Sequence, residues 1–281
     1  MEFKLVKKLG VGSAGDAFLL EDGKAIVVGK REDSFGTYQA LFEKMKKTDG
    51  KISAVNYPKI YQLVEPCQDF PFGAMVEECI SGTELRKKVA SLTDADKVAI
   101  GTTLAKFLRE MHSIQSDGNK DEEVGINLAK YERSLGIIKD YVDEKTFARL
   151  VELKPRYQQL IQAKPFCTTH GDLNAGNIMI GDDNKLSGII DFGNMEYYIP
   201  EIEFVHMYFF DRTIYDAMVA GYGRAIDERE VVLLELVVNV RHFKNIVKFD
   251  DKREHCLDNI NKLLSLYADK NVDKCTNIGI C

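Results

Sequence analysis

His170-Gly171-Asp172-Leu173-Asn174-Ala175-Gly176-Asn177 runs into Ile178-Met179-Ile180, a polar turn over 181–185, a second apolar run from Leu186 to Ile190, and then Asp191-Phe192-Gly193. Two short apolar runs around a Gly/Asp/Asn turn form a β-hairpin. A hairpin brings its ends together, so Asn177 and Asp191 are expected to meet at one point. Both offer oxygen, and Mg²⁺ asks a protein for a few oxygen ligands, with water and phosphate oxygens completing the shell. Asp172 precedes Asn177 on the same loop, where its carboxylate could orient a hydroxyl and take its proton.

Upstream, the first 80 residues alternate short apolar runs with turns: Phe3 to Leu9, Asp16 to Leu20, Ala25 to Val28, Lys59 to Val64 and Phe72 to Glu78. This pattern predicts a small antiparallel sheet with one helix, Tyr38 to Lys47, inserted in it. Asp22-Gly23 is the dipeptide that a two-residue hairpin loop prefers. Gly10-Val11-Gly12-Ser13-Ala14-Gly15 lies between the first two runs. It is either a plain glycine-rich hairpin turn or one whose backbone amides, at Gly10, Gly12 and Ser13, could face nucleotide phosphates. No G-x-x-x-x-G-K-[ST] segment supports a P-loop. Beyond Ser81-Gly82, helical periodicity takes over: Asp94 to Ser113, around Leu128 to Ile161, Ile214 to Tyr222, Glu230 to Val247 and His255 to Tyr267. The expected architecture is α+β in two lobes, residues 1–80 and 81–281, the second mainly helical and interrupted by the catalytic-type loop and its hairpin.

The His-Gly-Asp, four residues, Asn, Asp-Phe-Gly series resembles the catalytic core of the aminoglycoside phosphotransferase and choline kinase superfamily. That resemblance implies a two-lobed, protein-kinase-like fold and transfer of the γ-phosphate of ATP, GTP not being excluded, to a small-molecule hydroxyl. It also implies that Asp172 is the catalytic base, that Asn177 and Asp191 are Mg²⁺ ligands, and that His170 shapes the loop. Gly171 stands where protein kinases of the His-Arg-Asp type carry arginine, which argues against a phosphorylation-gated activation loop and a protein acceptor.

Relatives carry a basic residue on the third strand, and Lys30 is the nearest candidate, although strand depth favours Val27 or Val28 there. Lys30 is either that residue or an exposed lysine at the strand end. Its implied helix partner is Glu43, which could instead face solvent and pair with Lys47. Glu77 to Cys79 suit the interlobe hinge that pairs with adenine, but an edge strand leaving the sheet would read the same way.

The stretch 194–212 borders the acceptor pocket in the family. Here Pro200-Glu201-Ile202-Glu203-Phe204 departs from the relatives' Pro-x-x-Asp-Leu-Ala. Glu196, Glu201, Glu203 and Asp211 could answer a cationic acceptor, or form a solvated acidic face or helix caps. The aromatics from Tyr197 to Tyr215 read mainly as core, and His112, His206, His242 and His255 as packing or surface residues. Aminoglycosides, choline, sugar amines, homoserine and similar metabolites all remain open as acceptors, as does a nucleotide-binding pseudokinase.

Composition bounds the rest. A 281-residue chain suits two packed lobes. Its 38 basic and 44 acidic residues give a net charge of −6, the wrong sign for holding nucleic acid. The six cysteines form no C-x-x-C pair, and the apolar run Val231 to Val240 is too short to span a bilayer. A cytoplasmic monomer or weak dimer, without a membrane or nucleic-acid partner, is the expectation.

Overall fold

The structure, a computed structural model, describes residues 3–12, 15–116 and 118–268 of the chain. Ser13 of the glycine-rich turn lies outside the described residues. Five antiparallel strands open the fold: β1 (Leu5–Val11), β2 (Gly15–Leu20), β3 (Ala25–Gly29), β4 (Ile60–Val64) and β5 (Ala74–Glu77), in the order β1-β2-β3-β5-β4. Alternation along the strands puts Leu20, Ile26, Ala74 and Val76 on one face, where Phe18, Val28 and Phe70 cover them. Ala25, Val27, Met75 and Glu77 take the other face, against α1 (Ser34–Lys46). A Cβ at Gly15 would collide with both the Tyr38 hydroxyl and the Val27 side chain, so helix and strand meet closely there.

The β2–β3 hairpin differs from the expected two-residue loop. Leu20 N–H donates to Lys24 O at 2.8 Å and Gly23 N–H to Leu20 O at 3.0 Å, which closes a three-residue loop, Glu21-Asp22-Gly23. Gly23 has φ 84°, the left-handed conformation that this loop type requires at its last position. The loop length fixes which β3 residues face inward, and they are Ala25, Val27 and Gly29.

The second lobe begins with β6 (Thr83–Glu84) and α2 (Leu85–Lys88), then α3 (Asp94–His112), α4 (Lys120–Ile138) and α5 (Glu144–Ala163). Thr93 and Asp96 form a reciprocal capping box at the start of α3. The single helical pattern read around Leu128 to Ile161 is two helices, because Asp143 caps a new start by accepting from Thr146 N–H at 2.6 Å. Short strands β7 (Cys167–Thr169), β8 (Ile178–Ile180), β9 (Leu186–Ile189) and β10 (Glu196–Tyr198) carry the loop region. Helices α6 (Val205–Phe210), α7 (Arg212–Tyr222), α8 (Glu228–Ile246) and α9 (Asp250–Ala268) complete it. The main core runs through this lobe and reaches Met45 of α1 and Tyr57 between the lobes. Among the described residues no helix is long and apolar enough to cross a membrane.

Candidate active site

The β8–β9 hairpin registers Ile178 against Ile189, and Ile190 N–H donates to Asn177 O at 2.9 Å. Asn177 and Asp191 therefore stand side by side at its open end, as the spacing requires. Asp191 adopts φ 63° and ψ 64°, a conformation that costs a non-glycine residue of order 1 kcal/mol and that turns the chain sharply into Phe192. Phe192 compensates by burial: its ring lies 5.8 Å from Tyr57, 6.4 Å from Phe107 and 4.6 Å from His170.

The loop before the hairpin is held by His170 and Glu203. His170 is fully buried. Its Nδ1 accepts from Asp172 N–H at 3.3 Å, so Nε2 carries the proton and donates to Ile190 O at 3.1 Å. Burial holds this imidazole neutral, pushing its pKa down to about 4. One ring thus ties the loop of Asp172 to the strand end that leads into Asp191. Gly171 has φ 80°, and a Cβ there would strike the Asn194 carbonyl, which explains glycine between His170 and Asp172. Glu203, buried in the turn before α6, accepts the N–H groups of His170 and of Gly171, the latter at 3.2 Å.

Asp172 is the focus of this scaffold. Asn174 Nδ2 donates to its Oδ1 at 2.9 Å, and Asn177 Nδ2 reaches its backbone oxygen at 2.9 Å and Oδ2 at 3.3 Å. Burial disfavours the charged carboxylate, but the hydrogen bonds from His206 and Asn174 outweigh it and hold Asp172 below the usual carboxyl range. Asp191 moves the other way, raised by burial and then by the Asp172 charge. Glu77, at the end of β5, is pushed up to about 8 by burial and then by Asp191. The cleft therefore crowds negative charge that a divalent cation would relieve. Asn177 commits its amide nitrogen to Asp172, so Oδ1 is the atom a cation would use, beside the Asp191 carboxylate. Among the described residues no cluster of three or more His, Cys, Asp or Glu has metal-holding geometry. Two protein oxygens plus phosphate oxygens and water is the pattern that suits Mg²⁺.

Other residues fall elsewhere. Lys30 forms ion pairs with Asp16 and lies 3.3 Å from Gly12 O. Asp16 stands opposite Val28, on the sheet face away from α1, so Lys30 is not on the inward face; Val27 takes that position. Glu43 is exposed and paired with Lys46 at 2.7 Å, so neither Lys30 nor Lys47 is its partner. The inner face of α1 is formed by Ser34, Tyr38 and Met45 instead. Gly10 pairs with Ala17 beside a bulge, and Gly12 N–H donates to Gly15 O at 2.8 Å, closing the glycine-rich turn. Cys79 follows β5 half-buried, its thiol pushed up by burial and by Glu77.

The acidic stretch is not a solvated face. Glu201 is fully buried and paired with Arg224 and Lys164, Glu203 holds the loop, and Asp211 caps α7 at 3.1 Å from Ile214 N. Tyr198, Phe204, Tyr208 and Tyr215 are core. Glu196 lines a cavity of about 530 Å³ beside Gly193 and Asn194, with Tyr197, Glu123 and Lys130 among its other walls. His206, expected to serve packing or surface hydrogen bonds, brings Nε2 to 3.5 Å from Asp172 Oδ1. Its spacing carries no ligand pattern, and only its place one helical turn after Glu203 could have pointed to it.

Residues 6–233 match the model of the phosphotransferase enzyme family. The chain belongs to that family. No curated protein sequence matches it. Among solved structures, this phosphotransferase family member is similar to the GDP complex of wild-type aminoglycoside 2′-phosphotransferase-IIIa, at 18% identity over 94% of each chain and a TM-score of 0.77. ADP-bound aminoglycoside phosphotransferase APH(2″)-Ib is 18% identical over 93% of each chain, with a TM-score of 0.70. APH(3″)-Id from Streptomyces rimosus ATCC10970 is 15% identical over 85% of this chain and 92% of that one, with a TM-score of 0.59. At these identities the likeness is one of fold: the two-lobed, kinase-like α+β architecture expected from the sequence.

Proposed function

We propose that the chain is a magnesium-dependent phosphotransferase that moves the γ-phosphate of ATP, or of GTP, to a hydroxyl of a small molecule. In this reading residues 1–80 form the nucleotide lobe and residues 81–281 the catalytic and acceptor lobe. The observation that carries it is the meeting of Asp172, Asn177 and Asp191 at the open end of one hairpin. Similar structures include the gentamicin complex and the streptomycin–ATP ternary complex of APH(2″)-IIa, and the GDP and kanamycin complex of APH(2″)-IIIa.

Asn177 Oδ1 and the Asp191 carboxylate would hold Mg²⁺, which supplies charge neutralisation on the phosphate oxygens. Asp172 orients the acceptor hydroxyl and takes its proton at Oδ2. The hydroxyl oxygen forms the new P–O bond as the bond to the nucleoside diphosphate breaks, its electron pair leaving with that diphosphate. The turn that Gly10 and Gly12 open would lie over the phosphates, with the Gly12 amide already closed on Gly15 O, and Glu77 to Cys79 would border the base. The cavity beside Asn194 and Glu196 is the proposed acceptor pocket; Glu123 and Glu196 could meet amines of an aminoglycoside-like acceptor, while Lys44, Lys47 and Lys130 on the same walls leave its charge preference to the acceptor panel.

The test is nucleotide consumption with magnesium and with EDTA across aminoglycosides, choline, sugar amines and amino-acid alcohols. Turnover that an acceptor stimulates and EDTA abolishes is expected; equal rates with EDTA would sink the magnesium reading. One observation favours a second reading, a nucleotide-binding pseudokinase: Val27, not a lysine, occupies the inward position on β3. Nucleotide binding without turnover on any acceptor would favour it.

Lys30 gives a separate prediction. Held by Asp16 on the outer face, it is expected to matter little, so Lys30→Ala changes the calorimetric Kd for ATP by less than about threefold. A weakening of about tenfold or more would mean that the ion pair opens and Lys30 turns to the phosphates.

A further inference from the structure

His206 approaches Asp172 from outside the catalytic loop. Its Nε2 lies 3.5 Å from Asp172 Oδ1, the oxygen that also accepts from Asn174 at 2.9 Å. Oδ2 has only the 3.3 Å approach of Asn177 Nδ2. The carboxylate is therefore gripped at one oxygen and open at the other. Such contacts often shorten when substrates close an active site.

The surroundings of His206 are acidic on several sides. Asp172 faces it from the loop, Glu203 from the turn before α6 and Glu235 from α8, while His170 is the neighbouring imidazole. Glu203 and Glu235 are both buried, and each has a carboxyl oxygen, Oε2, without a hydrogen-bond partner. The other oxygen of Glu235 is fixed by Asn239 Nδ2 at 2.8 Å, and His242, farther along α8, feels the charges of Asp172 and Lys252. Burial works against a charge on His206, but the hydrogen bond to Asp172 and the fields of Glu235 and Glu203 prevail and raise its pKa above the ordinary value. A core histidine kept for packing would not need three carboxyl groups around it.

We propose, resting on the reading of Asp172 as the base, that His206 is a positioning residue: it fixes Asp172 Oδ1 so that Oδ2 faces the acceptor hydroxyl. Arrangements that hold a reacting group in one geometry typically govern turnover more than nucleotide affinity.

The experiment has two arms. In the first, the imidazole of His206 is titrated by NMR, its signals assigned by their loss in His206→Gln. The Asp172→Asn variant is expected to lower the His206 pKa by about one pH unit, and Glu235→Gln to lower it as well. In the second, kcat and the KM for magnesium-ATP are measured with the best acceptor of the panel, or with water where none stimulates. His206→Leu is expected to lose about 30- to 100-fold in kcat with the KM for ATP unchanged. His206→Gln, which keeps a donor near the Nε2 position, is expected to regain most of that loss, and His206→Leu to add nothing further in the Asp172→Asn background. A His206 titration that ignores Asp172→Asn overturns the proposal whatever the turnover, and so does a fully active His206→Leu beside an inactive Asp172→Asn. Full activity in Asp172→Asn, or a wild type that never turns over, instead sinks the reading of the base and takes this inference with it.

Discussion

Replacing Asp172 by alanine is expected to leave ATP binding within about threefold of wild type and to lower turnover by about 10²- to 10⁴-fold, the usual range for a positioned general base. Binding survives because Asp172 touches neither the β-sheet lobe nor the hairpin register. Its side-chain partners are Asn174, Asn177 and His206, of which the first two lie on the same loop. The loop itself is anchored elsewhere, by His170 on Ile190 O and by Glu203 on two backbone N–H groups. Turnover falls because no other carboxylate can stand in. Asp191 is turned to the hairpin end, and Glu77 ends β5 in the other lobe, away from the loop that carries Asp172. Asp172→Asn should be as inactive as Asp172→Ala, since an amide can orient a hydroxyl but cannot accept its proton. Calorimetric ATP binding together with steady-state turnover checks both halves. Full activity in either variant removes Asp172 from the chemistry.

The parts of this molecule that were legible in the sequence are those fixed by short-range pattern. Alternation and turn residues placed β1 to β5 within a few residues, and the hairpin argument alone brought Asn177 to Asp191. For Lys30 and Glu43 the sequence left two alternatives each, and long-range geometry decides between them. Their pairing depends on the hairpin loop length, on which face an even-numbered residue takes, and on the rotation of α1, none of which a local window reports. The three-residue loop at Glu21-Asp22-Gly23 sets the inward β3 positions at odd numbers, and that excludes Lys30 while admitting Val27. The acidic stretch misled for a related reason. A glutamate's charge suggests solvent, but Glu201 and Glu203 are buried because Arg224, Lys164 and the loop amides, distant in sequence, come to meet them. His206 was missed because its partner, Asp172, is separated from it by the whole hairpin.

Glu203 leads to the second large effect, and it separates a structural carboxyl from the one proposed as the base. Glu203→Ala removes the acceptor for the buried N–H of His170 and the part-buried N–H of Gly171, and leaves a cavity in the turn before α6. An unsatisfied buried donor costs about 1–3 kcal/mol, so with one buried and one part-buried N–H left without this acceptor the variant should lose about 2–4 kcal/mol of stability, and turnover should fall at least about tenfold as Asp172 loses its support. Glu203→Gln keeps an acceptor oxygen for both N–H groups and should keep the loop. The two variants also differ in their response to pH. Burial raises the Glu203 pKa to about 7 against the opposing pull of the two N–H groups, so the folded state holds its proton where the unfolded chain, near the ordinary 4.5, has released it. Wild-type stability from this group is therefore complete below the unfolded value and is lost as pH rises through about 7. Glu203→Gln has no such titration, so its Tm relative to wild type should climb between pH 4.5 and 7 and level off above. Thermal melts across that range, with amide exchange at His170 and Gly171, decide the matter. A Glu203→Ala protein with wild-type Tm and protected loop amides would show that the loop is held by His170 alone.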